Sequence, residues 1–181
     1  PVFIYQDSET RLIATTQTPK VQVGEFAYLK VVANTDFGTF LDWGVDKDLL
    51  APFGEQHRPM EVDRSYLVYV YLNNADGRIT ASSKIEKFID DQAPHQFEPG
   101  QQVDLIIANS TDLGFKAIIN HSHWGLLYKD EVNERLSFGQ SSRGFIKFVR
   151  ADNKIDLALK QKQETQGTIS LQIIGCTMLL L

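Results

Sequence analysis

The residues of this 181-residue chain best suited to chemistry are aromatic and basic rather than nucleophilic. Phe37, Phe40 and Trp43 stand around Gly38 in DFGTFLDWG, and Lys47 follows shortly after. Rings on a solvent-facing strand stack on unpaired bases, at about 1 to 3 kcal/mol per base and without a cage of phosphate contacts. Strand alternation puts Phe40 and Asp42 on one side and Leu41 and Trp43 on the other. Leu41 marks the interior, which offers Phe40 to solvent. A second stretch, TDLGFKAIINHSHWGLLYKDE, contributes Phe115, Lys116, His121, His123, Tyr128 and Lys129, and Arg143, Lys147, Arg150 and Lys154 follow around the last hairpin. His121 and His123 face one side of an extended segment, which suits two metal ligands or two nucleobase contacts, with a solvated loop pair as the plainer alternative. Asp42, Asp46 and Asp48 lie near Lys47, yet nothing marks a glycosidase pair, and Asp46 and Asp48 are read as solvating a turn. The chain has no phosphate-cradling glycine loop, nucleophile elbow or zinc-spaced Cys and His cluster. A non-catalytic protein without metal, cofactor or small-molecule substrate is expected.

Eighteen basic and twenty-three acidic residues give a net charge of -5, which argues against a duplex-DNA binder that neutralises many phosphates. Single-strand binding through aromatics stays open. The charge is uneven: residues 20–91 hold eight basic and twelve acidic side chains, net -4, and residues 98–162 hold nine and eight, net +1. The one cysteine, Cys176, has no internal disulfide partner, so a reducing, cytoplasmic setting is expected. The longest apolar run, near Cys176 to Leu181, is far below the roughly 20 residues that span a bilayer, and no membrane partner is expected.

The elements that position these residues come from a repeat. At an offset of 76, Gly24 falls on Gly100, NTDFGTF on STDLGFK, and VYVYLNNADGRITASSK on GFIKFVRADNKIDLALK. A one-residue adjustment puts Leu49 and Leu50 over Leu126 and Leu127. The opening VFIYQDSETRLIATTQ repeats only the closing hairpin, at an offset of 67, with Arg11 over Arg78 and Ala14 over Ala81. The expected organisation is a hairpin remnant of a preceding repeat at 1–19, complete units at 20–88 and 96–162, and a tail without assigned structure at 163–181. In the first unit, strands are expected at 26–32, 38–43, 48–51, 66–72 and 78–82, with an Asp-Gly turn in NNADGR before the last. Five short strands in about 65 residues fit an all-β oligonucleotide-binding barrel, since closure removes their exposed edges. Residues 84–91 are expected to add two helical turns between the units, ended by Pro94 and Pro99.

GEFAYLKV, DFGTFLDWG, KDLLAPF, VYVYL and GRITASSK together resemble the S1 RNA-binding domain, and the order of motifs from Val2 to about Lys160 resembles the bacterial conserved virulence factor B family. The resemblance implies tandem S1-like barrels leading to a winged helix, and an RNA-binding regulator that influences virulence-factor production. It puts stacking aromatics on Phe37 and Phe40 and a stacking histidine position on Ala51. In the next unit Leu113 and Lys116 replace both aromatics, and Tyr128 takes the histidine position. Single-stranded RNA is the expected partner. A structural or protein-interaction module using the same barrel exteriors is the alternative.

Overall fold

The computed structural model describes residues 1–6, 9, 11–89, 94–132 and 135–160. The tail at 163–181 lies outside the described residues. Strands β1 (Phe3–Gln6) and β2 (Leu12–Thr15) pair as an antiparallel hairpin. The first unit contains β3 (Phe26–Thr35), β4 (Gly38–Leu41), β5 (Leu49–Pro52), β6 (Ser65–Leu72) and β7 (Ile79–Ser82), ordered β5-β4-β3-β6-β7. The second contains β8 (Gln102–Ser110), β9 (Gly114–Ile119), β10 (His123–Tyr128), β11 (Ser141–Val149) and β12 (Ile155–Ala158), ordered β10-β12-β11-β8-β9. The fold is all-β, two five-stranded units of the oligonucleotide-binding kind in tandem. Among the described residues no helix is long and apolar enough to cross a membrane.

The offset of 76 holds strand by strand. Even the irregularity in β3 between Val31 and Ala33 recurs in β8 between Ile107 and Asn109. Phe40 pairs with Leu50, and Lys116 pairs with Leu126, so the expected one-residue adjustment at the leucines is not present. Identity misleads there because core volume has been exchanged between strands. Leu41 and Ala51 in the first unit correspond to Ala117 and Leu127, and Leu49 and Ala81 correspond to Gly125 and Leu157. All are buried, and each exchange keeps the summed volume nearly constant. In the second unit β10 closes the barrel through a parallel ladder with β12. A Cβ at Gly125 would come within 2.6 Å of Leu157, so this close approach needs glycine. In the first unit β5 and β7 lie side by side at the same place without a ladder.

A third apolar cluster joins the units. Phe26 points outward from β3 and is 1% exposed, covered with Ile85, Ile89, Ile106 and Ile118. The backbone N–H of Phe26 donates to His121 Nδ1 at 2.9 Å across the same contact. The places of Ile106 and Ile118 are taken in the first unit by Lys30 and Asp42, so only the second unit carries this apolar outer face. Across the described part of the expected helical segment, residues 84–89, only a single 3-10 turn forms, Ile85–Phe88, and it carries Ile85 and Phe88 into the contact. Burial against the neighbouring unit outweighs a weak helix preference in so short a segment.

Candidate nucleic-acid interface

The face of the first unit is built by β4 and β5. Gly38 starts β4 at φ 149, and a Cβ there would lie 2.5 Å from the Ala51 carbonyl, so only glycine lets the two strands cross this closely. Alternation then turns Leu41 and Ala51 into the core and leaves Phe40, Leu50 and Pro52 half-buried on the outside. Thr35 Oγ1 donates to the Gly38 carbonyl at 3.0 Å and fixes the turn that holds Phe37 out, 78% exposed. Phe53, directly after β5, is also exposed. Phe40, Leu50 and Pro52 line a cleft of ≈ 480 Å³ whose other walls come from Ile4 and Leu12 of the hairpin and from Arg78 and Ile79 at the β6–β7 turn. Tyr5 and Ile13 pack the hairpin onto the core of the first unit.

Two expected contacts of this unit need correction. Trp43 reaches the cleft wall but is only 5% exposed, its indole N–H donates to the Val21 carbonyl at 2.7 Å and its ring lies against Tyr5, so it serves the core more than a stacking surface. Lys47 lines the cleft, but its Nζ donates to the Gln6 carbonyl and fastens the hairpin. The carboxylates differ in environment. Lys20, hydrogen-bonded at 2.5 Å, holds the Asp42 carboxyl below the usual carboxylate range. Partial burial, reinforced by the charge of Asp42, pushes Asp48 up. Asp46 accepts from Gln17 Nε2 at 3.1 Å.

In the second unit the equivalent face is differently used. The β8–β9 turn repeats, with Thr111 Oγ1 donating to the Gly114 carbonyl at 3.0 Å, and presents Leu113 where Phe37 stands. Lys116 lies 4.0 Å over the Trp124 ring, and Trp124 itself packs at the contact with the first unit. Arg150 pairs with Asp156 at 2.7 Å and donates to the Tyr128 hydroxyl, so Tyr128 is held from the side. Lys116, Trp124, Leu126 and Arg150 line a smaller cleft of ≈ 250 Å³. Trp124 joins this site without having been expected as a contact, beside Arg150 of the last hairpin. The preserved repeat register was the signal for Trp124, which takes the place that Asp48 holds in the first unit.

The remaining candidates disperse. Phe115 packs against the barrel core, because it sits on the inward side of β9. Lys129 is exposed at the start of a 3-10 turn, Lys129–Glu131. Lys147 pairs with Glu131, and Arg143 with Asp104 at 3.9 Å. His121 and His123 do not share a side: Asn120 and His121 adopt φ 45 and 55, which turns the chain between them. His121 joins the contact between units, and His123 packs edge-on against His95 and Phe97. Ala51 is fully buried and corresponds to Leu127, so the first-unit counterpart of Tyr128 is Pro52. Among the described residues no three His, Cys, Asp or Glu side chains gather as a metal site requires.

Residues 23–84 match the family model of the S1 domain, a span that takes in all five strands of the first unit. With the strand-by-strand repeat, the two units are S1-like domains in tandem. The chain is 27% identical over 189 residues to the uncharacterized protein YitL of Bacillus subtilis (strain 168), covering 96% of this chain and 60% of that protein. The crystal structure of a multidomain protein with nucleic acid binding domains from Streptococcus pneumoniae TIGR4 is similar at a TM-score of 0.43 and 16% identity, over 88% of this chain and 59% of that one. The chain therefore spans about three-fifths of the length of both relatives.

Proposed function

We propose that this chain is a non-catalytic, single-stranded RNA-binding part of a cytoplasmic regulator acting after transcription, virulence factors among its targets. The observation that carries the binding reading is the outer surface of the S1-matching unit: Phe37 and Phe53 exposed, and Phe40 in a cleft beside them. Rings set on a rigid sheet supply stacking without a strong positive field, which agrees with a net charge of -5. The second unit contributes less. Its face is partly covered by the first unit at Ile118 and Trp124, and its cations Lys147 and Arg150 are paired with carboxylates. That apolar outer face favours a second reading for this unit alone, as a structural platform on which the first unit is docked. Titration of the chain with an unstructured single-stranded RNA and with duplex DNA of equal length tests the proposal. Preference for the single strand is expected, and equal or absent binding to both overturns it.

A further inference from the structure

We infer that the groove where the two units meet is a second contact for single-stranded nucleic acid. This rests on the nucleic-acid reading of the first unit and extends it to a surface that shares no residue with the β4–β5 cleft. The groove measures ≈ 390 Å³ and takes Tyr28, Arg58 and Tyr66 from the first unit and Phe138 and Gly139 from the second.

Two rings stay in water here although buried contact lies beside them: Tyr28 is 43% and Phe138 55% exposed. Neither is loose. Gly139, at φ 73, lets the Tyr28 ring rest on its backbone, where a Cβ would meet the ring at 2.0 Å. The Gly139 N–H donates to the Ile107 carbonyl at 2.8 Å, and the Ser137 N–H to Gln140 Oε1 at 3.0 Å, which fixes the loop that carries Phe138. The Arg58 guanidinium lies 5.7 Å over the Tyr66 ring, and no carboxylate among the described residues pairs with it. Two preset rings from different units, with the Arg58 guanidinium making no ion pair among the described residues and Glu86 on the same wall, suit bases that stack and a phosphate that pairs with Arg58. A protein partner would favour a continuous apolar wall, whereas this wall mixes Leu67, Ile85 and Ala108 with the polar Ser65, Ser83 and Asn109. The docked cluster of Phe26, Ile85, Ile106 and Ile118 holds both walls in register.

The test is photo-crosslinking of the chain to a thiouridine-substituted single-stranded RNA, with the attachment sites mapped, alongside titration of Phe138→Ala and Arg58→Gln. Crosslinks at Tyr28 or Phe138 are expected in addition to those on the β4–β5 face, and each variant should bind about 5- to 20-fold more weakly. Both side chains lie on the surface, so unchanged melting confirms that the fold is intact. Crosslinks confined to the β4–β5 face, with both variants binding like the parent, would overturn the groove and leave the first unit's reading standing. A parent chain that binds no RNA would overturn both.

Discussion

Replacing Ile118 with aspartate, the residue that holds the same place in the first unit, should separate the two domains without unfolding either. Ile118 is fully buried, yet it belongs to the cluster between the units and not to the barrel core. Losing its burial costs about 1.5 to 3 kcal/mol. Keeping the contact closed over an unpaired carboxylate would bring the total to about 3 to 5 kcal/mol, so opening is the cheaper response. The sharpest reporter is the Phe26 amide, whose hydrogen bond to His121 exists only while the units are docked. Hydrogen exchange at that amide should accelerate by about 100-fold, the equivalent of roughly 3 kcal/mol, while amides facing the two cores, such as those of Val68 and Ile107, keep their protection. Unchanged protection at Phe26 would refute the contact. Loss of protection throughout β8 to β12 would refute the outward orientation of Ile118.

Other substitutions probe the elements beneath the site. Leu41→Ala should cost about 2 to 5 kcal/mol in chemical denaturation, because a fully buried side chain leaves a cavity. Gly38→Ala should cost about 1 to 3 kcal/mol from backbone strain alone, and more from the clash with Ala51, measured the same way. Asp48 is pushed up by burial and by Asp42, so the folded state prefers it protonated and loses stability as pH rises from the ordinary carboxylate value through the raised one. Asp48→Asn should therefore melt like the parent in acid and at higher temperature near neutrality; parallel pH profiles would contradict this. Binding of the parent to RNA should be near micromolar, about -8 kcal/mol, and should fall only moderately with salt, less than roughly 6 to 10 phosphate contacts would require.

Strand alternation made the inward and outward sides of β4 legible, since Leu41 and Trp43 are core and Phe40 is outside. Strand existence followed from the same pattern, with ends displaced by a few residues: the expected 26–32 runs on to Thr35 because its pairing with Gly38 extends the ladder. Alternation says which side of a strand a residue takes, but not what lies opposite. Phe26, Ile118 and Trp124 lie on the outward sides of their strands, and packing between units covers them. The left-handed turn at Asn120 and His121 was hidden because histidine carries no backbone preference as strong as glycine's. Matching leucine to leucine hid the ungapped register, since the two cores divide the same volume between different strands.

The central claim is that the Phe40 side of the first unit receives unpaired bases. Fluorescence titration of a labelled, unstructured single-stranded RNA with the parent and with Phe40→Ala tests it most directly. The half-buried ring lines the cleft and is not part of the core cluster, so the variant should keep its fold. It should lose about 1 to 3 kcal/mol of affinity, roughly 5- to 150-fold. A folded Phe40→Ala chain that binds RNA as tightly as the parent would contradict the account.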